Sequence, residues 1–329
     1  MQAIVHDSYG PLEALQLRDI APPEPAAGEV LVRVRAAGLH VGDCFTVRGS
    51  PLVVRTETGL LRPKHGIPGY DLAGEVAAVG PAVEGISPGD QVFGTGRGTC
   101  AEYARASHQT LAPKPATLSF EAAAALPTSA LAALHALRDV GGVAPGRQVL
   151  INGASGGVGT FAVQIAKSFG AEVTGVCGPG NVALVRSLGA DEVIDYTRED
   201  FTRSARRYDL ILDNVENRPL RDCRRVLRPG GTLILNSGTG ARGLRFLLRL
   251  LAPLALSPFV PERLRRFIST PNQANLVALG KLAASGTLKP VIDRTVPLRD
   301  TAAALAHIES GHAKGKVVVT MPGARKAAA

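Results

Sequence analysis

The chain contains no tryptophan, and aromatic residues make up only 4% of its 329 positions. Its cores must therefore be built mainly from alanine, valine, leucine and isoleucine. Basic residues are not interleaved with aromatic residues, so the stacking surface used by single-strand nucleic-acid binders is not visible. The formal net charge of +9 favours anionic ligands such as a phosphorylated cofactor. We do not expect nucleic acid to be the main partner, although an RNA-associated basic protein remains an alternative that salt-dependent binding would reveal.

Cysteine is also scarce. The four cysteines, at positions 44, 100, 177 and 223, form no CxxC unit, so a clustered zinc site is not expected. A long chain with few cysteines is typical of a reduced, intracellular protein, and we expect a cytoplasmic location. The first ten residues lack a charged segment followed by an apolar run, so no signal peptide is predicted.

No apolar run is long enough to suggest a membrane span. The most apolar stretch, Leu244–Val260, carries two arginines and two prolines, which a lipid-spanning helix would not tolerate well. We interpret this stretch as an amphipathic helix followed by a loop, placed over either a pocket or an interface.

The sequence pattern changes near Phe120. Before it, β-branched runs such as Glu29–Arg35 and Leu72–Val79 alternate with turn sequences and predict a compact, barrel-like domain of short strands. After it, apolar strands alternate with helices, which predicts a doubly wound parallel sheet in an α/β fold. The predicted strands are Gln148–Asn152, Glu172–Val176, Glu192–Ile194, Tyr208–Asp213 and Thr232–Asn236. Helices are expected near 157–169, 182–188, 220–227, 274–285 and 300–309, and a last strand at Lys316–Thr320.

The most informative motif is a glycine-rich turn between a strand and a helix, within Val149–Lys167. Counted from Ala154, it has the spacing A-x-G-x-x-G, with Gly156 and Gly159 at the later two places. A glycine at the first of these lets a diphosphate approach the backbone, and a glycine at the second lets the helix pack close to the strand. The helix N-terminus then offers free N–H groups to the phosphates. A purely structural glycine turn is the alternative.

The end of the second predicted strand indicates which dinucleotide binds. NAD sites usually place an Asp or Glu there to accept from the ribose 2′-hydroxyl, but Val176–Asn181 contains no carboxylate. This favours NADPH, with NADH still possible. The loop also lacks the basic residue that a 2′-phosphate normally pairs with, and Arg186, Tyr196 or Lys316 could supply the partner.

Several further segments join this turn in one resemblance. They are Gly69–Val76, Pro88–Gly94, Ser187–Asp191 and Gly311–Val317. Over nearly its whole length the chain resembles the medium-chain dehydrogenase/reductase superfamily, and most closely its zinc-independent quinone oxidoreductase branch, which includes zeta-crystallin and the reticulon-interacting mitochondrial oxidoreductases.

The resemblance implies a domain plan. A GroES-like β-rich substrate domain would comprise residues 1–121 and 290–329. A Rossmann dinucleotide-binding domain would comprise residues 122–289, with the active site in the cleft between the two. Dimers are common among such relatives, so a homodimer is a possible assembly.

The resemblance also implies that no metal is used. Zinc-dependent relatives carry a Cys ligand and a His-Glu pair where this chain has His40, Tyr70 and Asp71, and their four-cysteine lobe has no counterpart. A catalytic zinc needs three protein ligands, so we expect none here.

Cofactor contacts carry over by the same alignment. Those near the diphosphate are Ser155, Gly156, Gly157, Val158 and Gly159; those near the adenosine are Gly178, Asn181 and Tyr196; and those at later strand ends are Asn214 and Ser237. Three positions depart from the family pattern: Gly180 stands where a basic residue is common, Ala132 stands where a Thr usually faces the nicotinamide, and His40 replaces a common Asn.

Without zinc, hydride transfer needs donors for the oxygen that gains charge. Tyr70 and His40 are the candidate donors, and Asp43 is expected to fix the loop around His40; each also has a purely structural interpretation. We hypothesise that the enzyme reduces a quinone or an α,β-unsaturated carbonyl with NADPH. A zinc-free NAD(P)-dependent alcohol or aldehyde reductase and an NADPH-binding redox sensor with little turnover remain alternatives.

Overall fold

The computed structural model describes residues 1–236, 251–253 and 255–322. Ser237 lies outside the described residues, as do residues 244–250 and 254 of the apolar stretch Leu244–Val260. The chain divides into two compact units. The first unit comprises residues 1–131, 270–286 and 290–329, and the second unit comprises residues 132–269 and 287–289. Residues 122–131 and 270–286 thus pack with the first unit, although the domain plan from sequence places them in the Rossmann domain.

The β-strands are numbered in chain order. They are β1 Gln2–Val5, β2 Gln16–Asp19, β3 Glu29–Leu39, β4 Asp71–Val79, β5 Gln91–Thr95, β6 Tyr103–Ser107, β7 Leu111–Pro113, β8 Gln148–Asn152, β9 Glu172–Cys177, β10 Glu192–Asp195, β11 Tyr208–Asp213, β12 Leu227–Leu235, β13 Arg263–Arg265, β14 Ile292–Pro297 and β15 Lys316–Thr320.

The α-helices that matter for the site are numbered in the same way. They are α1 Val41–Arg48, α2 Arg55–Thr58, α3 Phe120–Ala124, α4 Pro127–Leu134, α5 Gly157–Ser168, α6 Val182–Ser187, α7 Leu220–Arg225, α8 Gln273–Ala284 and α9 Thr301–Glu309. Among the described helices, none is long and apolar enough to cross a membrane.

A mixed sheet organises the first unit. Its strand order is β14-β15-β3-β4-β5-β7, with β6 also paired to β3, while β1 and β2 form a separate hairpin-like pair. The β15 strand is parallel to β14 and antiparallel to β3. Alternate residues of β3, such as Val30, Val32 and Val34, are buried in a core that is made mostly of aliphatic side chains, as the scarcity of aromatic residues predicts.

A parallel sheet organises the second unit. Its order is β10-β9-β8-β11-β12-β13, and every pairing in it is parallel. In chain order this is 3-2-1-4-5-6, the arrangement of dinucleotide-binding doubly wound sheets. The predicted fold class is confirmed. The short β13 is an addition that the sequence analysis did not predict, because the tripeptide Arg263–Arg265 contains a single apolar residue.

This sheet fixes where a ligand would bind. In open parallel sheets, ligands lie beyond the carboxyl ends of the strands, at the point where the strand order reverses. That point lies between β8 and β11, and the apolar residues of β8, Val149, Leu150 and Ile151, are fully buried. The turn that follows β8 is therefore attached to a rigid, fully buried strand.

Candidate active site

The turn between β8 and α5 is tied to the neighbouring strand. Gly153, with φ of +78°, takes a left-handed conformation that favours glycine. Its N–H and that of Ala154 both donate to the carbonyl of Val176, over 3.1 and 2.9 Å. The chain then passes through Gly156, in an extended conformation, and enters α5 at Gly157.

Two glycines of the motif have different surroundings. A Cβ built on Gly159 would lie 2.0 Å from the carbonyl oxygen of Gly153, so only glycine allows the helix to approach the turn this closely. A Cβ on Gly156 would meet only that same oxygen, at 3.4 Å. The protein's own packing thus requires Gly159 but does not require Gly156.

The residues assigned to the adenosine side lie together at the carboxyl ends of β8, β9 and β10. The hydroxyl of Ser155 accepts a hydrogen bond from Asn181 over 3.1 Å. A Cβ on Gly178 would lie 3.1 Å from the hydroxyl of Tyr196, whose side chain is 54% exposed. The Oδ1 atom of Asn181 is buried and has no hydrogen-bond partner among the described residues, so this small cluster keeps an unused acceptor.

Asn214 belongs to a row of amide and carboxyl groups across the other half of the same edge. Its N–H and its side-chain amide both donate to the carbonyl of Asn152 over 3.2 Å. Its Oδ1 accepts from Asn236 over 2.8 Å, while Asn152 donates to Asp213 over 2.8 Å. The sequence analysis missed Asn152, Asp213 and Asn236. The signal was available, because each ends or directly follows a buried apolar strand.

The structure narrows the candidates for contact with a 2′-phosphate. The prediction that Lys316 could contact the phosphate is wrong, because its side chain is only 1% exposed and its ammonium bonds to Asp71 over 3.1 Å. Arg186 and Tyr196 lie in the second unit, Arg186 on the exposed face of α6 and Tyr196 directly after β10. A Cβ built on Gly180 would meet no atom within 4 Å.

The three candidate catalytic residues lie together in the first unit. The rings of His40 and Tyr70 stack with centroids 5.7 Å apart and an interplanar angle of 18°. Asp43, which is fully buried in the first turn of α1, accepts the N–H of His40 over 2.8 Å. Its nearer oxygen lies 3.6 Å from Nδ1 of His40. The expected backbone contact of Asp43 is present, but the segment that it fixes is the start of a helix and not a loop.

Burial controls the ionisation of this group. It raises the pKa of Tyr70 to about 12; the negative charges of Asp43 and Glu57 add to the rise, and the positive charge of Arg97 opposes it. The phenol is therefore un-ionised at neutral pH and able to donate a hydrogen bond. Burial likewise raises the pKa of Asp43, partly offset by its interaction with His40 and by the hydrogen bond from the His40 N–H.

A buried ion pair directly follows Tyr70 in the chain, and the sequence analysis did not single it out. Asp71 is fully buried; one oxygen accepts the N–H and the hydroxyl of Thr128, and the other accepts the ammonium of Lys316. These contacts join the first residue of β4 to the N-terminus of α4 and to β15. Both partners lay within motifs quoted for the resemblance, but no spacing in the sequence predicts that they meet.

The donor atoms do not suit a catalytic zinc. Asp71 already has a cation and two donors as partners, and the phenol of Tyr70 keeps its proton. All four cysteines are buried, and burial raises the pKa of each thiol, to about 12 for Cys44. Within the described parts of the chain, no three His, Cys, Asp or Glu residues are grouped so as to hold a metal ion.

Tyr70 lines a cavity of about 440 Å³ inside the first unit. The cavity is formed by the segment from Pro63 to Tyr70, by α1 and α2, and by the turn after β5. Its lining is His6, Thr46, Glu57, Thr58, Pro63, Lys64, His65, Gly66, Ile67, Pro68, Gly69, Tyr70, Arg97 and Gly98. This volume is within the range of small-molecule sites.

Comparison with known proteins identifies the family. Residues 26–119 match the family described as alcohol dehydrogenase GroES-like domain, and residues 188–319 match the family described as zinc-binding dehydrogenase. The chain is 32% identical to 2-methylene-furan-3-one reductase of Solanum lycopersicum, over 97% of this chain and 79% of that protein. The structure of the quinone oxidoreductase from Coxiella burnetii matches with a TM-score of 0.86 and 32% identity, over 97% of this chain and 99% of that one.

The chain belongs to the quinone oxidoreductase branch of the medium-chain dehydrogenase/reductase superfamily. It is therefore an oxidoreductase, with a GroES-like part and a Rossmann-like parallel sheet, and the predicted family is confirmed. A further member of the branch, the Escherichia coli quinone oxidoreductase solved in complex with NADPH, matches with a TM-score of 0.83 and 25% identity, over 97% of this chain and 100% of that one.

Proposed function

We propose that this oxidoreductase transfers a hydride from NADPH to a quinone or an α,β-unsaturated carbonyl, without zinc. The observation that carries the proposal is Tyr70, a phenol that keeps its proton and lines a ligand-sized cavity. A neutral donor stabilises the negative charge that develops on a carbonyl oxygen. Conjugated acceptors suit such a site because they already spread that charge.

The second unit has the features of a dinucleotide site. The N–H groups of Gly157, Val158 and Gly159 begin α5 and have no acceptor within the helix, so they are suited to hold a diphosphate together with the backbone at Gly156. Ser155 would also contact the diphosphate. Gly178, Asn181 and Tyr196 would hold the adenosine part, and Asn214, joined by Ser237 according to the resemblance, would contact the rest of the cofactor. When bound, the nicotinamide supplies the hydride.

NADPH is the preferred cofactor in this proposal. No carboxylate follows β9 in Cys177–Asn181, so a 2′-phosphate meets no like charge there. Space at Gly180, the exposed phenol of Tyr196 and the exposed Arg186 favour the phosphate form. The relative from Escherichia coli that was solved with NADPH supports the same choice.

The residues around Tyr70 then have separate roles. Tyr70 donates its hydroxyl hydrogen bond to the acceptor oxygen. His40, stacked against the phenol, keeps the ring in place. Asp43 orients His40 through its backbone N–H and is a positioning residue.

A direct spectrophotometric assay tests the proposal. Oxidation of NADPH and of NADH is measured at 340 nm with small panels of quinones, enones and aldehydes, each with and without a metal chelator. We expect turnover with a quinone or an enone, faster with NADPH, and unchanged by the chelator. Loss of activity on chelation and its return with zinc would contradict the zinc-free mechanism. Turnover of simple aldehydes alone would replace the assignment with an aldehyde reductase.

A further inference from the structure

The cavity at Tyr70 is unusually polar for a site that accepts a quinone or an enone. Small-molecule sites are lined mainly by apolar side chains with a few polar groups. Here six of the lining residues are ionisable: His6, Glu57, Lys64, His65, Tyr70 and Arg97. A lining of this kind predicts a small, charged acceptor more readily than a long apolar one.

Arg97 is placed opposite Tyr70 by the backbone. The N–H of Gly96 donates to the carbonyl of Tyr70 over 2.8 Å, and the N–H of Gly98 donates to the carbonyl of Gly69 over 3.1 Å. The N–H of Arg97 itself bonds to the carbonyl of Arg105 over 2.9 Å. The two segments that carry Tyr70 and Arg97 are therefore fixed relative to each other on both sides of the arginine.

Arg97 has no carboxylate within ion-pair distance in the described part of the chain, and the same is true of Lys64. Elsewhere in the first unit, arginines such as Arg48 pair closely with a carboxylate, in that case Glu309 over 2.5 Å. The segment that carries Lys64 is itself anchored, because the N–H of Lys64 donates to the carbonyl of Thr58 over 2.7 Å. The hydroxyl of Thr58 in turn bonds to the hydroxyl of Tyr9 over 2.7 Å.

The charges around the cavity sum to a positive field. Lys64 and Arg97 face a single carboxylate of the lining, Glu57. The pKa of His65 is lowered by burial and by the positive charges of Arg97, Arg105 and Lys64, and burial also lowers the pKa of His6. Both histidines therefore add little positive charge at neutral pH, and the excess comes from the arginine and the lysine.

We propose that the acceptor carries a carboxylate, which Arg97 binds with Lys64 as a second cation while Tyr70 contacts the carbonyl end. The planar guanidinium can hold a carboxylate through two parallel hydrogen bonds. The inference deepens the proposed function and rests on it: the substrate class is an unsaturated keto acid, and Arg97 is the residue that selects it.

A pair of acceptors that differ only in charge tests this. The acid is 4-oxopent-2-enoate, and its neutral counterpart is the methyl ester of the same compound. Both are assayed with NADPH and the wild type, with Arg97→Gln, and with the control Arg62→Gln. Arg62 is exposed two residues before Lys64 and does not line the cavity, so its loss reports only the general effect of removing one positive charge nearby.

We expect wild type to prefer the acid. Arg97→Gln should lower kcat/KM for the acid by about tenfold or more, through KM, because a charged hydrogen bond is lost, and should leave the ester within about twofold. Arg62→Gln should leave the ratio of acid to ester unchanged. Equal use of acid and ester by wild type, or an unchanged ratio in Arg97→Gln, would overturn the inference and leave the proposed function standing.

A binding measurement separates the inference from catalysis. The saturated acid 4-oxopentanoate keeps the carboxylate and the carbonyl but has no double bond to reduce. Its affinity is measured by isothermal titration calorimetry with wild type, Arg97→Gln and Arg62→Gln. About tenfold weaker binding in Arg97→Gln alone supports the anion site even if no acceptor turns over, a result that would contradict only the proposed reaction. Absent binding to wild type, or equal binding to all three, overturns the inference.

Discussion

The surroundings of Tyr70 extend the pH range over which its phenol stays neutral. Burial raises its pKa to about 12, and the carboxylates of Asp43 and Glu57 add to the effect. An unfolded chain has the ordinary tyrosine value of about 10. The folded protein therefore retains the phenolic proton in a pH range where the unfolded chain loses it, and the stability gained from this group declines as pH rises from about 10 toward 12.

The same shift predicts a pH dependence for Tyr70→Phe. Removing the hydroxyl should lower kcat/KM by about 100-fold, because one donor to the developing oxyanion is lost. The ratio of wild-type to variant activity should stay flat between pH 7 and 10, since the phenol is not titrated there. Steady-state kinetics across that range are the measurement. If this ratio changes with pH below pH 9, the tyrosine acts as an ionised group. If the ratio is close to one throughout, the tyrosine has no part in the reaction.

Residue identities at the site could be predicted only where they lie in a local pattern. Ser155, Gly156 and Gly159 follow from one strand–turn–helix motif. The contact between Asn181 and Ser155 and the stacking of His40 on Tyr70 depend on segments that are far apart in the sequence. Their assignment came from the resemblance, and the structure shows that they meet.

The glycine turn before α5 allows a paired prediction at the level of the element. Gly156→Ala should fold with little change, since its φ of −82° suits any residue and a Cβ meets only one atom, at 3.4 Å. Gly159→Ala should cost about 1–3 kcal/mol or more, because its Cβ would overlap the carbonyl of Gly153. Urea unfolding of both variants measures this difference.

Cofactor affinity should respond in the other way. Gly156→Ala places a methyl group where the diphosphate is proposed to approach, so its Kd for NADPH should rise by about tenfold or more while the fold is kept. Fluorescence titration with NADPH measures it against wild type. If Gly156→Ala binds NADPH like wild type, the turn has a structural role alone.

Element boundaries were predictable where apolar runs are bounded by turn residues. The strands β8, β11 and β15 begin and end at the predicted residues. Among the elements that were missed, α1 and β13 have clear physical reasons. The α1 helix is only eight residues long and has a glycine at its second position, and the His40 that begins its capping box with Asp43 is not one of the usual N-cap residues. The β13 strand buries only Leu264, too little for a pattern to show.

At the scale of the whole molecule, the Asp71–Lys316 pair joins residues that are 245 positions apart. Lys316→Met should destabilise the protein by about 3–5 kcal/mol, because it leaves a buried carboxylate without its cation. Adding Asp71→Asn to that variant should recover part of the loss. Denaturant unfolding of wild type, both single variants and the double variant gives the coupling. If the double variant loses the sum of the two single losses, the pair is not energetically coupled.

The β15 strand has a consequence for how the protein is made. It pairs with residues 36–39 of β3. This part of the sheet therefore cannot be completed until residues near 320 have left the ribosome. Until then β3 presents backbone groups that another nascent chain could capture. The sheet of the second unit, which is translated in between, does not need β15 for its completion. Slow release of the last stretch of the polypeptide therefore threatens the N-terminal half of the protein more than its middle.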